Sequence, residues 1–430
     1  MNQACDVVIV GTGVAGLYCA LNLPEKLNVR IITKQAADGA NSFLAQGGIC
    51  VLRGEEDFND YYADTMRAGH FENNPKTVEL VLRSSNQIIR DLLRLGVRFN
   101  RDAHGNFDYT REGAHSRPRI LFCNDVTGRE ITGTLLQQVR SRPNVTIDEY
   151  TTLLDIISKD NACHGVVVSD QAGQISTIGA NHVVLACGGL GGLYKNSTSF
   201  PHITGDALAI ALRHNVAVEH LDYVQIHPTT LFSSKPGRRF LISESVRGEG
   251  ALLLDKRGNR FVDELQPRDV VSQAIWKQME ADGSEHVWED MRPLGEQTIL
   301  THFPHIYRRC LEEGFDPRYT PIPVVPAQHY LMGGIKVDLA SRTSMAGLYA
   351  CGETSCNGIH GKNRLASNSL LESLVFAQRA ADDIVFAARA KRAAPPPEVD
   401  LKQYEDLDAL FSEYRRAVLK RLERLEAKHG

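Results

Sequence analysis

The sequence predicts an α/β protein in which a βαβ-built domain is interrupted by an inserted α+β segment and closed by a C-terminal helix. Three observations carry this. The β-branched run Val7-Val8-Ile9-Val10 ends on a glycine and leads through a helical segment to a second short strand. A later run of the same kind, His182-Val183-Val184-Leu185-Ala186, again enters a glycine-rich turn. Between roughly residues 221 and 326 the texture changes, with more Pro, aromatic residues, His and Arg.

Composition narrows the class. The 430 residues suit two or three folding units, and 43% hydrophobic with 23% charged residues is the balance of a globular chain. A formal charge of -4 leaves no global basic excess to argue for nucleic acid. The nine cysteines form no C-x-x-C pair, so a disulfide scaffold, a zinc ribbon and a ferredoxin-type cluster are not expected, and a reducing cytoplasm fits best. Cys351 and Cys356, the closest two, read as small buried residues. Residues 7–24 carry no charge, but Gly11, Gly13 and Gly16 argue against a membrane span, and Asp6 against a signal peptide.

In chain order, residues 14–23 have helical composition and stop at Pro24, and 29–33 form the second strand. Helices are expected at roughly 60–68 and 75–95. Alternating apolar residues over 153–178, with turn signals at 159–161 and 170–173, predict a small antiparallel hairpin sheet. Residues 335–338 and 347–350 return to strand character, and a long helix is expected from 367 to about 390. Residues 393–397, Ala-Ala-Pro-Pro-Pro, read as a stiff linker. In the tail, Leu407, Leu410, Phe411, Tyr414, Val418, Leu422 and Leu425 recur at three- and four-residue steps, the apolar face of a charged helix. The expected organisation is therefore 1–220 and 331–392 as two parts of one domain, 221–330 as an insertion, and 393–430 as linker and helix.

Gly11-Thr12-Gly13-Val14-Ala15-Gly16 is a G-x-G-x-x-G set between strand and helix, the Rossmann-like dinucleotide signature. Gly11 allows the tight turn, Gly13 admits a pyrophosphate, and Gly16 lets helix and strand pack. The helix N-terminus offers free N–H groups to phosphates. Thr33 and Lys34 stand where an NAD-binding unit usually has an acidic residue, so an NAD ribose clamp is not expected. Lys34 suits either a phosphate or a solvated loop.

Seven further segments fall in order along the chain. They are Asn41-Ser42-Phe43-Leu44-Ala45-Gln46-Gly47-Gly48-Ile49, R-E-G-A-H-S at 111–116, Q-I-H-P-T at 225–229 and S-E-S-V-R-G-E-G-A at 243–251. P-R-D at 267–269, P-A-Q-H-Y at 326–330 and H-G-K-N-R-L-A-S-N-S-L at 360–370 complete the set. Over roughly residues 5–385 the chain resembles the flavoprotein family of succinate dehydrogenase, fumarate reductase and L-aspartate oxidase. The resemblance implies an FAD-binding domain carrying a capping domain at 221–330. It places FAD contacts on Gly11, Thr12, Gly13, Val14, Ala15, Gly16 and Lys34, and on the whole of 41–48. Asp206, Glu353, Ser369 and Leu370 complete that implied set, with the helix beginning near Ser367 aimed at the flavin.

Two positions point to the aspartate-oxidising branch. Members that bind FAD covalently do so through a His five residues before the Gln of A-Q-G-G; here that residue is Asn41, so noncovalent FAD is expected. Glu112 supplies a carboxylate that an amino diacid can use and succinate cannot. The resemblance implies Arg268, His227, His329 and Arg364 for the substrate carboxylates, Gln225 and Ser243 as neutral donors, and Glu112 with Glu244 near the ammonium. Arg268 is implied as proton-transfer residue, with an electrostatic clamp as the other option. The implied reaction is hydride transfer from L-aspartate to flavin N5, giving iminoaspartate for quinolinate formation in NAD biosynthesis, with O2 or fumarate reoxidising the flavin. A soluble fumarate reductase or succinate dehydrogenase flavoprotein is the alternative, disfavoured by Asn41, Glu112 and the lack of haem-attachment or iron–sulfur motifs. A noncatalytic flavin subunit would be favoured by an exposed apolar tail helix. Family members usually carry a longer C-terminal helical bundle, so the single tail helix is expected to cover the flavin domain or pair with another subunit.

Overall fold

The computed structural model describes residues 3–235, 237–388 and 397–429. Strand β1 (Gln3–Val10), helix α1 (Val14–Asn22) and strand β2 (Val29–Ile32) form the expected βαβ unit. β1 lies parallel to β2 on one side and to strand Ile175–Leu185 on the other. Strand Val145–Asp148 extends the sheet beyond β2, and Leu348–Ala350 joins it at the end of Ile175–Leu185. Along β1, Val7 and Ile9 enter one core while Val8 and Val10 enter the other. This period of two is that of a sheet covered on both faces.

The Val7/Ile9 face is covered by α1 and by helices Pro75–Leu95, Thr127–Arg140 and Asn368–Ala387. The bounds of Pro75–Leu95 follow from local chemistry. Asn74 Oδ1 accepts from the N–H groups of Lys76 and Thr77, Pro75 occupies the first turn, and Gly96 takes the left-handed C-terminal position at φ 105°.

The hairpin departs from expectation. Thr152–Lys159 and Ala162–Ser169 do not form a separate sheet, because Ile175–Leu185 runs unbroken through Gly179-Ala180-Asn181. Its first half pairs with the hairpin and its second half with β1 and Leu348–Ala350. Close backbone approach allows this: a Cβ on Gly165 would lie 2.2 Å from the Ile178 carbonyl oxygen.

A second, five-stranded sheet has the order Phe240–Leu241, Val224–Leu231, Ile322–Leu331, Val287–Asp290, Leu252–Leu254. With helix Arg268–Asp282 it encloses a core of its own, including Leu253, Val271, Ile275, Val287 and Ile322.

The tail forms helix Leu407–His429. Leu410, Tyr414, Val418 and Leu422 are buried in the Val8/Val10 core, against helix Asp206–Arg213. Tyr414 Oη donates to the Leu154 carbonyl at 2.7 Å. The apolar face is therefore covered within the chain, which removes the feature that favoured a noncatalytic docking subunit. Leu422→Ala is expected to cost about 2 kcal/mol, read as a lowered thermal midpoint. The linker expected at 393–397 lies outside the described residues except for Pro397. Among the described residues no helix is long and apolar enough to cross a membrane. All nine cysteines are free, with Cys351 and Cys356 buried as expected.

Candidate active site

One continuous cleft runs from the α1 N-terminus to the second sheet. At its nucleotide end the three glycines separate by cause. A Cβ on Gly11 would sit 2.2 Å from the Ala186 carbonyl oxygen, and one on Gly16 would sit 2.1 Å from that of Gly11. The fold itself requires both. A Cβ on Gly13 would meet nothing closer than Ser42 Oγ at 3.7 Å, so the protein's own packing does not call for glycine there. The residue is small toward the cleft, as a pyrophosphate needs. Gly13→Ala is expected to leave the apoprotein's thermal midpoint unchanged while lowering bound flavin severalfold. Gly16→Ala is expected to lower the midpoint itself.

Lys34 is held in an ion pair, which neither of its two readings anticipated. Its Nζ is 2.8 Å from Asp206 Oδ2, and both side chains line the cleft. Asp206 opens helix Asp206–Arg213 and also accepts from Thr204 Oγ1 at 2.7 Å. Glu353, another lining residue, accepts from the Leu331 N–H at 3.0 Å, and burial pushes its carboxyl up to about 7.

The 41–48 loop wraps the middle of the cleft. Gly128 N–H donates to the Ala45 carbonyl at 2.8 Å and Thr127 Oγ1 to that of Gly47 at 2.7 Å, so the Thr127–Arg140 helix anchors the loop. Asn41 donates to Ser199 Oγ at 3.0 Å and accepts from the Phe200 N–H at 2.9 Å. Gln46 Oε1 is buried without a partner. A buried acceptor without a donor, the spare room at Gly13, and the start of helix Asn368–Ala387 without a side-chain cap together fit a flavin dinucleotide lying along this cleft.

At the far end, His227 and His329 come from paired strands, Val224–Leu231 and Ile322–Leu331, with ring centres 5.1 Å apart. Pro228 sits in a register shift between His227 and Thr230, where a missing N–H costs no ladder bond. His329 Nδ1 is 2.7 Å from Thr198 Oγ1 and His227 Nδ1 is 3.0 Å from the Thr229 carbonyl oxygen. Burial and then Arg268 hold both imidazoles well below the ordinary histidine range, so they are neutral. Arg268 opens helix Arg268–Asp282 after Pro267 and is 6% exposed. Arg364 lies over the Tyr330 ring at 4.3 Å; burial, then the Arg268 charge, lowers it to about 10.

The carboxylates differ. Glu244 is bonded to Arg268 Nε and lies 3.6 Å from Arg247 Nη2. Burial raises its pKa, but Arg268 and Arg247 outweigh that and hold it below the usual range. Glu112, 2% exposed, has no such cation bonded to it. It accepts from Ser245 Oγ at 2.9 Å and from Ser367 Oγ. Burial, then Glu244, holds its carboxyl above the usual range. A Cβ on Gly47 would lie 2.5 Å from Glu112 Oε1, so the flavin loop passes directly over this carboxylate.

Three residues expected in the site stand outside the cleft wall. Gly16 is consumed by helix–strand packing, and Phe43 packs into the Val7/Ile9 core. Gln225 spends its whole amide within the protein. Its Nε2 donates to Asn363 Oδ1 and to the Arg364 carbonyl, both at 2.8 Å, and its Oε1 accepts from Arg268 Nη1 at 2.7 Å. It braces the arginines rather than presenting a donor. Glu244 likewise neutralises Arg268. Ser243 lines the cleft while its Oγ accepts from the Ser245 N–H at 3.2 Å, leaving its hydroxyl proton free to donate. The other residues anticipated for the cofactor and substrate line the cleft. Ser245, Ser367, Thr198 and Arg238 were not anticipated. Ser245 and Ser367 lie inside motifs noted above; Ser245 follows Glu244, and Ser367 was expected only as the start of the helix aimed at the flavin.

The fold and the cleft together define a flavin-dependent oxidoreductase. A family described as "FAD binding domain" matches residues 6–370. L-aspartate oxidase from Clostridium perfringens is 49% identical over 385 residues, covering 89% of this chain and 87% of the relative, and that from Clostridium acetobutylicum is 48% identical. Among solved structures, E. coli quinol fumarate reductase FrdA superposes with a TM-score of 0.86 at 30% identity, covering 99% of this chain and 75% of that one. The chain belongs to the L-aspartate oxidase family of FAD-dependent flavoproteins.

Proposed function

We propose that the protein oxidises L-aspartate to iminoaspartate with noncovalently held FAD, O2 or fumarate serving as electron acceptor. The observation that carries the reading is Glu112, a buried carboxylate that among the described residues is bonded only by hydroxyls, in the same cleft as Arg268 and Arg364. FAD, when bound, supplies the acceptor for the hydride that leaves the substrate Cα. Arg268 and Arg364 hold the two substrate carboxylates, since a planar guanidinium bonds carboxylate in two-point fashion. His227, His329 and Ser243 donate neutral hydrogen bonds beside them. Gln225 and Glu244 fix the arginines. Glu112 accepts from the substrate ammonium and is the acceptor for the proton lost as the C=N bond forms. Asn41, bonded at both amide atoms, offers no nucleophile for attachment to the ring. The product suits condensation to quinolinate by a cytoplasmic quinolinate synthase on the route to NAD.

The test is anaerobic mixing of the purified flavoprotein with L-aspartate, D-aspartate or succinate. Bleaching by L-aspartate alone, with flavin released on acid precipitation, supports the reading; bleaching by succinate alone, or flavin retained in the precipitate, defeats it. Because Glu112 must be ionised to accept the ammonium and its pKa is raised, kcat/KM for aspartate should fall toward acid. The fall should begin at a higher pH than an ordinary carboxylate gives, and a pH profile of Glu112→Gln should lack this limb.

A further inference from the structure

The R-E-G-A-H-S segment supplies Glu112 but leaves His115 and Ser116 without a task. We infer that His115 is a positioning residue that fixes Glu112 for selection of an amino diacid; this rests on the aspartate-oxidising reading above.

His115 is buried, with Nδ1 3.1 Å from Arg119 Nη1 and Nε2 3.1 Å from the Ala366 carbonyl oxygen. A guanidinium only donates and a carbonyl only accepts, so these neighbours dictate one neutral tautomer, with the proton on Nε2. Arg119 is itself fixed, fully buried with Nη2 2.9 Å from Asp57 Oδ1 and Nη1 2.7 Å from Asp64 Oδ2. Asp64 also takes the Ser116 N–H and hydroxyl at 2.8 and 2.7 Å. Burial, then the Arg119 charge, pushes His115 down to about 4, so it does not titrate near neutrality.

Glu112 and His115 close one tight turn: the His115 N–H lies 3.3 Å from the Glu112 carbonyl oxygen, and Ala114 is left-handed at φ 64°. Their side chains then grip successive residues of a second segment. His115 donates to the Ala366 carbonyl, and Glu112 accepts from Ser367, whose Oγ also accepts from the Gly48 N–H at 3.0 Å. Two adjacent attachments, rather than one, set where the Glu112 carboxylate stands beside the flavin loop. Each carboxylate oxygen keeps a lone pair beyond its serine partner, and His115 sets the direction in which that capacity points. Succinate makes no demand on it.

The variant His115→Leu fills the space without stranding a buried acceptor, because Cys50 Sγ also donates to Ala366 at 3.4 Å. It is expected to lower kcat/KM for L-aspartate about 30-fold, mostly through KM, as a misplaced binding group does. The inhibition constant of succinate should stay within about twofold and the flavin content unchanged. His115→Gln, whose amide N–H can reach the same carbonyl, should recover most of the loss. Equal weakening of aspartate and succinate, no loss at all, or a Gln variant no better than Leu overturns the inference. If the Leu variant does not accumulate folded, His115→Asn, too short to reach Ala366, must lose selectivity where His115→Gln keeps it. A wild-type protein that aspartate does not bleach would instead remove the underlying function, whatever the variants do.

Discussion

Glu112→Gln is expected to lower kcat/KM for L-aspartate about 100-fold while leaving fumarate reduction within about threefold. A hydrogen bond to a charged group contributes about 1.5–3 kcal/mol, which spans about 10- to 150-fold, and a site built around a substrate N–H tells it sharply from an analogue lacking one. Glutamine keeps the shape and can still bond Ser245 and Ser367, so the geometry of the turn survives. Burial already opposes the ionised form of Glu112, so its removal should leave the thermal midpoint unchanged or higher. Steady-state kinetics with both substrates, alongside a melting curve, separates these effects. Parallel losses with aspartate and fumarate would take the ammonium-acceptor role away from this residue.

Arg268→Leu is expected to be the most damaging single change. It removes a preorganised cation from the reacting centre, worth about 10³-fold in kcat. It also leaves Glu244 buried with Arg247 at 3.6 Å as its nearest remaining cation, at a stability cost of about 3 kcal/mol. The two losses can be parted. Adding Glu244→Gln to Arg268→Leu should restore much of the stability, because the uncompensated charge is gone, but none of the activity. Recovery of turnover in the double variant would mean that Arg268 acts only by balancing Glu244. Arg268→Lys should keep the charge yet lose the simultaneous bonds to Glu244 and Gln225, since an ammonium has no planar fork.

What the sequence made legible was local. Gly16 is dictated by the Gly11 carbonyl a few residues away, and Asn74, Pro75 and Gly96 mark both ends of their helix. The Arg, His and Glu residues of the site could be named because their chemistry is scarce and sits in motifs. The bracing could not. Gln225 looks like a donor in sequence, and only the convergence of Arg268, Asn363 and Arg364 shows that its amide is already spent. Ser245 and Ser367 meet Glu112 across 133 and 255 residues of chain, and serine carries no periodic signal. The unbroken strand Ile175–Leu185 was masked by Gly179, which reads as a breaker until its tight approach to Gly165 is seen.

Helix Asp206–Arg213 meets the cofactor cleft at its first residue and the tail helix along its side. An element held in common by a ligand site and a chain terminus ties the two thermodynamically, so whatever steadies one narrows the excursions of the other. Proteolysis samples such excursions. Inside a cell, the loaded flavoprotein should therefore outlive the empty one, and vitamin supply should set its abundance as well as its turnover.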